Sequence, residues 1–147
     1  MMNQAECLTR ILLQQNYTHF VTVTCRKQPL SESAARRIAQ NMYRFVFKTG
    51  SYFWVAERFS EKRGLSESFH VHSIIDQPEH RIFGIWAELF DRYGRTRIEK
   101  IESNDAVMAY VTKYIVKELC DYDFVFTKKI DQLELYRKIK EWGGGHE

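Results

Sequence analysis

Short stretches in which hydrophobic residues alternate with polar ones, or run together between polar boundaries, predict the strands of this chain. Residues 19–26 and 69–75 are rich in β-branched side chains and are each soon followed by a proline, which indicates strands. A dense aromatic run at 51–57 and a charged, partly alternating run at 95–101 predict two more, the second of them exposed. A last strand is expected at 122–127.

The longer stretches between the predicted strands place hydrophobic residues three or four positions apart, which is typical of helices. The first such helix should begin after Ser31, whose side chain can cap it, and should stop by Gly50. A second helix is expected from about residue 81 to 93, and a third from 105 to about 119. A basic C-terminal helix is expected at about 130–142.

The predicted order β-α-β-β-α-β, followed by a further helix, is that of an α+β domain of ferredoxin-like or RRM-like type. Such a split βαβ domain has a central antiparallel sheet flanked by helices. A chain of 147 residues suits a single domain, with its core at about residues 19–127 and no second catalytic module. The strands at 51–57 and 69–75 should pair as antiparallel neighbours, which would bring Glu57 beside the second of them. No element is predicted before residue 19.

Composition excludes several classes of protein. Hydrophobic residues make up 44% and charged residues 28%, as in soluble globular proteins, and no apolar run is long enough to span a membrane. The N-terminus lacks the basic flank and apolar core of a secretion signal, so we expect a cytoplasmic protein with no membrane partner. Three cysteines without close spacing predict neither a disulfide framework nor a cysteine-based zinc site. The net charge of +3 is compatible with a polyanionic partner but does not require one.

Two histidines on the strand predicted at 69–75 are the first candidate chemistry. Side chains two positions apart on a strand lie on the same face, so His70 and His72 should point to one side and Val71 to the other. Two imidazoles aimed at one point are what a metal site requires. A pair of hydrogen-bonded histidines on a half-buried strand is the alternative interpretation.

The third predicted helix twice carries a tyrosine followed three positions later by a lysine: Tyr110, Lys113, Tyr114 and Lys117. At about 100° per residue, these four side chains should lie on one stripe of the helix. The apolar positions should lie on a largely separate stripe: Val107, Met108, Val111, Ile115 and Leu119. Two hydroxyls one turn apart, flanked by cations, are suited to attack on a phosphate. An amphipathic helix with core tyrosines is the alternative.

A strand like Phe20–Thr24, a His-Val-His strand and a Tyr-x-x-Lys helix, in that order, resemble the three motifs of the HUH endonucleases. The similarity is greatest to the rolling-circle replication initiator (Rep) proteins of plasmids and phages, including members with a two-tyrosine motif. It covers about residues 19–119. This chain departs from the family pattern in its small size, without a helicase domain, and in the long gap between Glu57 and His70.

The resemblance implies a metal-dependent endonuclease and strand transferase that nicks single-stranded DNA at an origin or hairpin through a 5′-phosphotyrosine intermediate. It implies that His70, His72 and Glu57 hold a divalent ion, with Glu67 as the alternative third ligand. Nitrogen and oxygen ligands without a thiolate favour Mn²⁺ or Mg²⁺ over structural zinc. Members with a single tyrosine keep the position that resembles Tyr114.

By the same resemblance, Tyr114 would attack first and Tyr110 would be the second nucleophile or an auxiliary group. Lys113 and Lys117 would bind the phosphate or stabilise the phenolate, with a solvated helix face as the alternative. A host helicase would supply the motor, and the oligomeric state stays open. Two other functions remain: a single-strand transposase of the same chemistry, and a non-catalytic RNA-binding module of the same fold.

Four aromatic residues are candidates for stacking on bases, with burial in the core as the alternative: Tyr52, Phe53, Trp54 and Trp86.

Overall fold

Five strands form one antiparallel sheet in the computed structural model of this protein. They are β1 His19–Cys25, β2 Tyr52–Arg58, β3 Phe69–Ile75, β4 Gly94–Lys100 and β5 Asp121–Val125. In the sheet they lie in the order β4-β1-β3-β2-β5. The structure describes residues 4–27, 31–58, 69–117 and 121–127. Glu67 and the helix predicted at 130–142 lie outside these described residues.

Four α-helices accompany the sheet in the described part of the chain: α1 Gln4–Leu12, α2 Glu32–Met42, α3 Ile82–Arg92 and α4 Asn104–Val111. The side chains of Ser31 and Ser103 cap α2 and α4 by accepting hydrogen bonds from backbone N–H groups in the first turn. Both helices continue into π-helical turns, at Tyr43–Phe47 and Thr112–Lys117. No helix among the described residues is both long and apolar enough to cross a membrane.

The ferredoxin-like α+β architecture predicted from the sequence is confirmed, because β1-α2-β2 and β3-α3-β4 interleave as two split βαβ units. The predicted exposed strand is β4, at one edge of the described sheet. The predicted last strand is β5, which adds to the edge formed by β2. Helix α1 was not predicted, since its nine residues give only two turns of hydrophobic periodicity.

Alternation along the strands divides the core into two layers, one on each face of the sheet. One layer packs α2 and α3 on residues such as Val21, Trp54 and Val71. The other packs α1 and α4 on Phe53, Val55 and Ile74, where the buried helix residues include Leu8, Leu12, Val107 and Val111. The even-numbered residues of β3, and with them both histidines, therefore face α1 and α4.

The turn between α2 and β2 places Gly50 in a backbone conformation that side chains rarely adopt, with φ of +84°. A Cβ at this position would overlap the carbonyl oxygen of Asp76, just after β3. The absence of a side chain at Gly50 therefore lets this turn pack against the end of β3.

We expect Gly50→Ala to lower the free energy of unfolding by about 2 kcal/mol or more, because it combines backbone strain with a clash against main-chain atoms. Gly84→Ala is the matched control, since a Cβ at Gly84 in α3 meets no atom within 4 Å. It should raise that free energy by about 1 kcal/mol through helix propensity. Urea titration of both variants measures the difference, and equal stabilities would contradict the assigned role of Gly50.

Candidate active site

The three sequence motifs meet on the face of the sheet that α1 and α4 cover. In the antiparallel register, Thr24 lies opposite His70 and Thr22 opposite His72 across β1 and β3. On the other side of β3, Glu57 of β2 lies opposite His70. Because opposed residues in an antiparallel pair project to the same face, these five side chains form one polar group. The prediction that strand pairing brings Glu57 beside the histidines is confirmed.

Threonine hydroxyls of β1 hold both imidazole rings. Thr24 Oγ1 lies 3.0 Å from His70 Nδ1, and Thr22 Oγ1 lies 3.2 Å from His72 Nδ1. These contacts direct Nδ1 of each ring toward β1 and Nε2 away from it. A threonine hydroxyl can donate or accept, so it suits either tautomer of its histidine. The sequence analysis did not assign these partners, although the alternation in Phe20–Thr24 already placed both threonines on one face.

The donor set of the group suits a divalent ion, since it offers imidazole nitrogens and a carboxylate oxygen. The three predicted ligands do not converge on one point, however. His72 Nε2 lies 3.3 Å from Glu57 Oε1, and the ring centroids of His70 and His72 are 6.0 Å apart. Among the residues that the structure describes, no three histidine, cysteine, aspartate or glutamate side chains are arranged to hold a metal ion.

Glu57 is half-buried and has an altered acidity. The hydrogen bond with His72 lowers the pKa of its carboxyl group, and this effect exceeds the opposing effect of burial. Electrostatic interaction with His72, His70 and Lys113 lowers the pKa further. Glu57 therefore stays ionised at pH values where an ordinary glutamate begins to take up a proton.

Tyr114 lies directly over this polar group. Its ring stacks on that of His72, with centroids 4.3 Å apart and planes inclined by 24°. Lys113 Nζ lies 4.9 Å from the centre of the same ring. Lys117 ends the π-helical turn, and its side chain lies outside the described part of the structure. The arrangement brings a phenol, an ammonium group and an imidazole to one point of the sheet.

The prediction that the tyrosines lie on a stripe apart from the hydrophobic positions is wrong. Tyr114 is 8% exposed and belongs to the buried cluster of Val107 and Val111. Seven residues turn an α-helix by about 700°, so Tyr114 comes to within about 20° of Val107 and lies beside the hydrophobic stripe, not apart from it. Tyr114 therefore faces the sheet together with Val107 and Val111.

Tyr110 occupies a different environment from Tyr114. Its ring stacks on Phe20 at 5.2 Å and meets the edge of the Tyr114 ring at 4.9 Å. Its hydroxyl oxygen is buried. Both tyrosines line the same pocket, but only Tyr114 is stacked on one of the histidines.

A pocket of about 460 Å³ opens between α4 and the strands β1 and β4. Its lining combines His72, both tyrosines, Lys113 and Arg97. Arg97 was not singled out from the sequence, although the alternation of β4 puts it on the same face as Thr22, its partner across the strand pair. Lys113 and Arg97 bring cations to this space, and Glu99, which is ion-paired with Arg97, lines it as well.

The four aromatic candidates for base stacking do not behave alike. Tyr52, Phe53 and Trp54 are fully buried in the core, as in the alternative interpretation. Trp86 is 37% exposed and lies on the other face of the sheet from the histidines.

A family model of replication-associated proteins, the ORF2 family, matches residues 18–119 of this chain. The match runs from β1 through the π-helical turn that follows α4, and so includes the threonines, the histidines and both tyrosines. No curated protein and no solved structure matches the chain. Since the match covers most of the chain, this protein belongs to the ORF2 family of replication-associated proteins.

Proposed function

We propose that this protein is an HUH-type endonuclease that nicks single-stranded DNA with Tyr114 and thereby initiates rolling-circle replication of a plasmid or phage. The observation that carries the proposal is the stack of Tyr114 on His72, in a group that also contains His70 and Glu57. Membership of a replication-associated protein family supports it. The DNA would be an origin or hairpin strand, and a separate host helicase would open the duplex.

The reaction requires a cation in addition to the tyrosine. A phenol with a pKa near 10 is a weak nucleophile at neutral pH, and the phosphodiester it approaches is an anion. When bound, a Mn²⁺ or Mg²⁺ ion would neutralise that charge and polarise the phosphoryl oxygen. His70, His72 and Glu57 would have to shift from their present positions to hold it, and His72 would exchange its hydrogen bond with Glu57 for the ion. Thr22 and Thr24 keep the two imidazoles oriented for this role through their hydrogen bonds to Nδ1.

Tyr114 forms the covalent link in this proposal. Its hydroxyl loses a proton as the bond between its oxygen and phosphorus forms. The bond from phosphorus to the 3′-oxygen breaks, and that oxygen ends as a 3′-hydroxyl while the 5′-phosphate stays on the tyrosine. Lys113 lies close enough to the Tyr114 ring to favour the phenolate and the incoming phosphate. Lys117, one turn further along the helix, would also bind the phosphate or stabilise the phenolate.

Tyr114 acts before Tyr110 because the two rings lie differently on the sheet. Tyr114 is stacked on a proposed ligand, whereas Tyr110 packs against Phe20 with its hydroxyl oxygen buried. Tyr110 therefore supports the ring of Tyr114, and it can serve as a second nucleophile only after its hydroxyl is uncovered.

Removing either histidine should lower the affinity for Mn²⁺ by at least roughly tenfold, measured by titration calorimetry, because each imidazole supplies a ligand. Thr24→Val keeps the shape of the side chain but removes the hydroxyl that orients His70, and should cost roughly tenfold as well. His80→Ala is the control, since this histidine is exposed and lies beyond the end of β3. Unchanged affinity in both His70→Ala and His72→Ala would disprove the metal site.

The protein is expected to form a covalent adduct with single-stranded oligonucleotides in the presence of Mn²⁺. Tyr114→Phe should lose most of the adduct on a denaturing gel, and Tyr110→Phe should retain it, because phenylalanine keeps the ring and removes only the hydroxyl. Tyr93→Phe, a tyrosine packed against the core on the other face, is the control. Loss of the adduct in Tyr110→Phe alone would mean that Tyr110 attacks before Tyr114. Adduct formation by the double variant would overturn the tyrosine mechanism.

Lys113→Gln should slow adduct formation by about 100-fold and leave the Mn²⁺ affinity nearly unchanged, because the cation acts on the developing phenolate and phosphate. Lys113→Arg keeps the charge and should recover most of the rate. Single-turnover kinetics with saturating oligonucleotide measure both variants. An equal loss of rate in Lys113→Arg and Lys113→Gln would show that the charge is not what matters.

A further inference from the structure

A row of exposed aromatic rings follows one side of α3, away from the candidate active site. Phe83, Trp86 and Phe90 are 78%, 37% and 48% exposed. Their rings stack in sequence, with centroids 6.1 Å apart from Phe83 to Trp86 and 5.5 Å apart from Trp86 to Phe90. An exposed apolar row of this kind commonly marks a binding surface.

Phe83 and Trp86 of this row line a second open space, which we call the α3 groove. It has a volume of about 520 Å³ and is lined by Glu79, Ile82, Phe83, Trp86, Thr96, Arg97 and Ile98. Its floor is fixed, because the indole Nε1 of Trp86 donates a hydrogen bond of 2.9 Å to the carbonyl oxygen of Thr96 in β4. The groove is therefore built by a helix and an edge strand together.

Arg97 connects the α3 groove with the catalytic pocket, since it lines both. It lies on β4, at the edge of the described sheet, and its side chain is 78% exposed. Its ion pair with Glu99 is exposed as well, so exchanging that partner for a phosphate would cost little. A DNA strand that leaves the catalytic pocket over β4 meets the cation of Arg97 first and the aromatic rings of α3 next.

We propose that the α3 groove is a second subsite for single-stranded DNA, which crosses β4 at Arg97 and stacks bases on Phe83 and Trp86. The inference rests on the proposed function, because it takes the strand in the catalytic pocket as its starting point. Aromatic faces beside a phosphate-binding arginine are the usual means of holding a single strand without reading its sequence. Arg26 adds positive charge at the other end of the row, where its guanidinium lies 5.7 Å from the Phe90 ring centre.

The full-length protein, without added divalent ion so that no strand is cut, is titrated into fluorescent oligothymidylates of roughly 6 and roughly 20 nucleotides. Fluorescence anisotropy should show that Phe83→Ala loses roughly tenfold in affinity for the longer strand and little for the shorter one. Arg97→Gln should weaken both and reduce the salt dependence of binding. Phe45→Ala is the control, since Phe45 is 40% exposed but does not line the groove.

Equal affinity of wild type and Phe83→Ala for the longer strand would overturn the inference while leaving the proposed function intact. If Phe83→Ala also sedimented differently from the wild type, the row would bind a second copy of the chain. If Phe83→Ala instead had a lower melting temperature, the row would bind the chain's own residues 128–147. A wild-type protein that binds neither strand would overturn the proposed function and the inference together.

Discussion

The candidate active site depends on the antiparallel register of β1, β3 and β2. A slip of one residue would turn His70 and His72 to the face covered by α2 and α3 and separate them from Glu57. Val71, Ile74 and Ile75 oppose such a slip, since all three are at most 1% exposed and fill the two core layers from alternate positions. The hydrophobic contacts of β3 therefore hold the imidazoles in place.

A second constraint is the face that α4 and its π-helical continuation turn toward the sheet. Helix α4 begins at the cap formed by Ser103 and passes into the π-helical turn at Thr112, whose hydroxyl donates to the carbonyl oxygen of Met108. Turns of this kind are rare and are frequent at functional sites. Along this helix the ring of Tyr114 lies on His72 and that of Tyr110 on Phe20. The two tyrosines, equivalent in the sequence, become inequivalent in the fold.

The candidate site combines charged groups with buried rings, an arrangement that suits the binding of a phosphate. The hydrogen bond with His72 lowers the pKa of Glu57 and so favours its negative charge, while Lys113 and Arg97 bring cations to the pocket beside Glu99. Burial of the tyrosine rings excludes water from one side of the group, while the opening toward Arg97 remains. The candidate site thus lies on one face of the sheet, and the exposed aromatic row lies beyond its edge.

Because alternation and helical periodicity are local properties, the strands, the order of the elements from β1 onward and the shared face of the two histidines followed from the sequence alone. The neighbouring position of Glu57 also followed, since a chain reversal between β2 and β3 makes them partners. The three-dimensional packing was needed to show that Thr22 and Thr24 hold the histidines, that α1 packs on the same face of the sheet, and that Tyr114 rather than Tyr110 stacks on His72. These features depend on contacts between residues far apart in the chain, which a periodic pattern does not record.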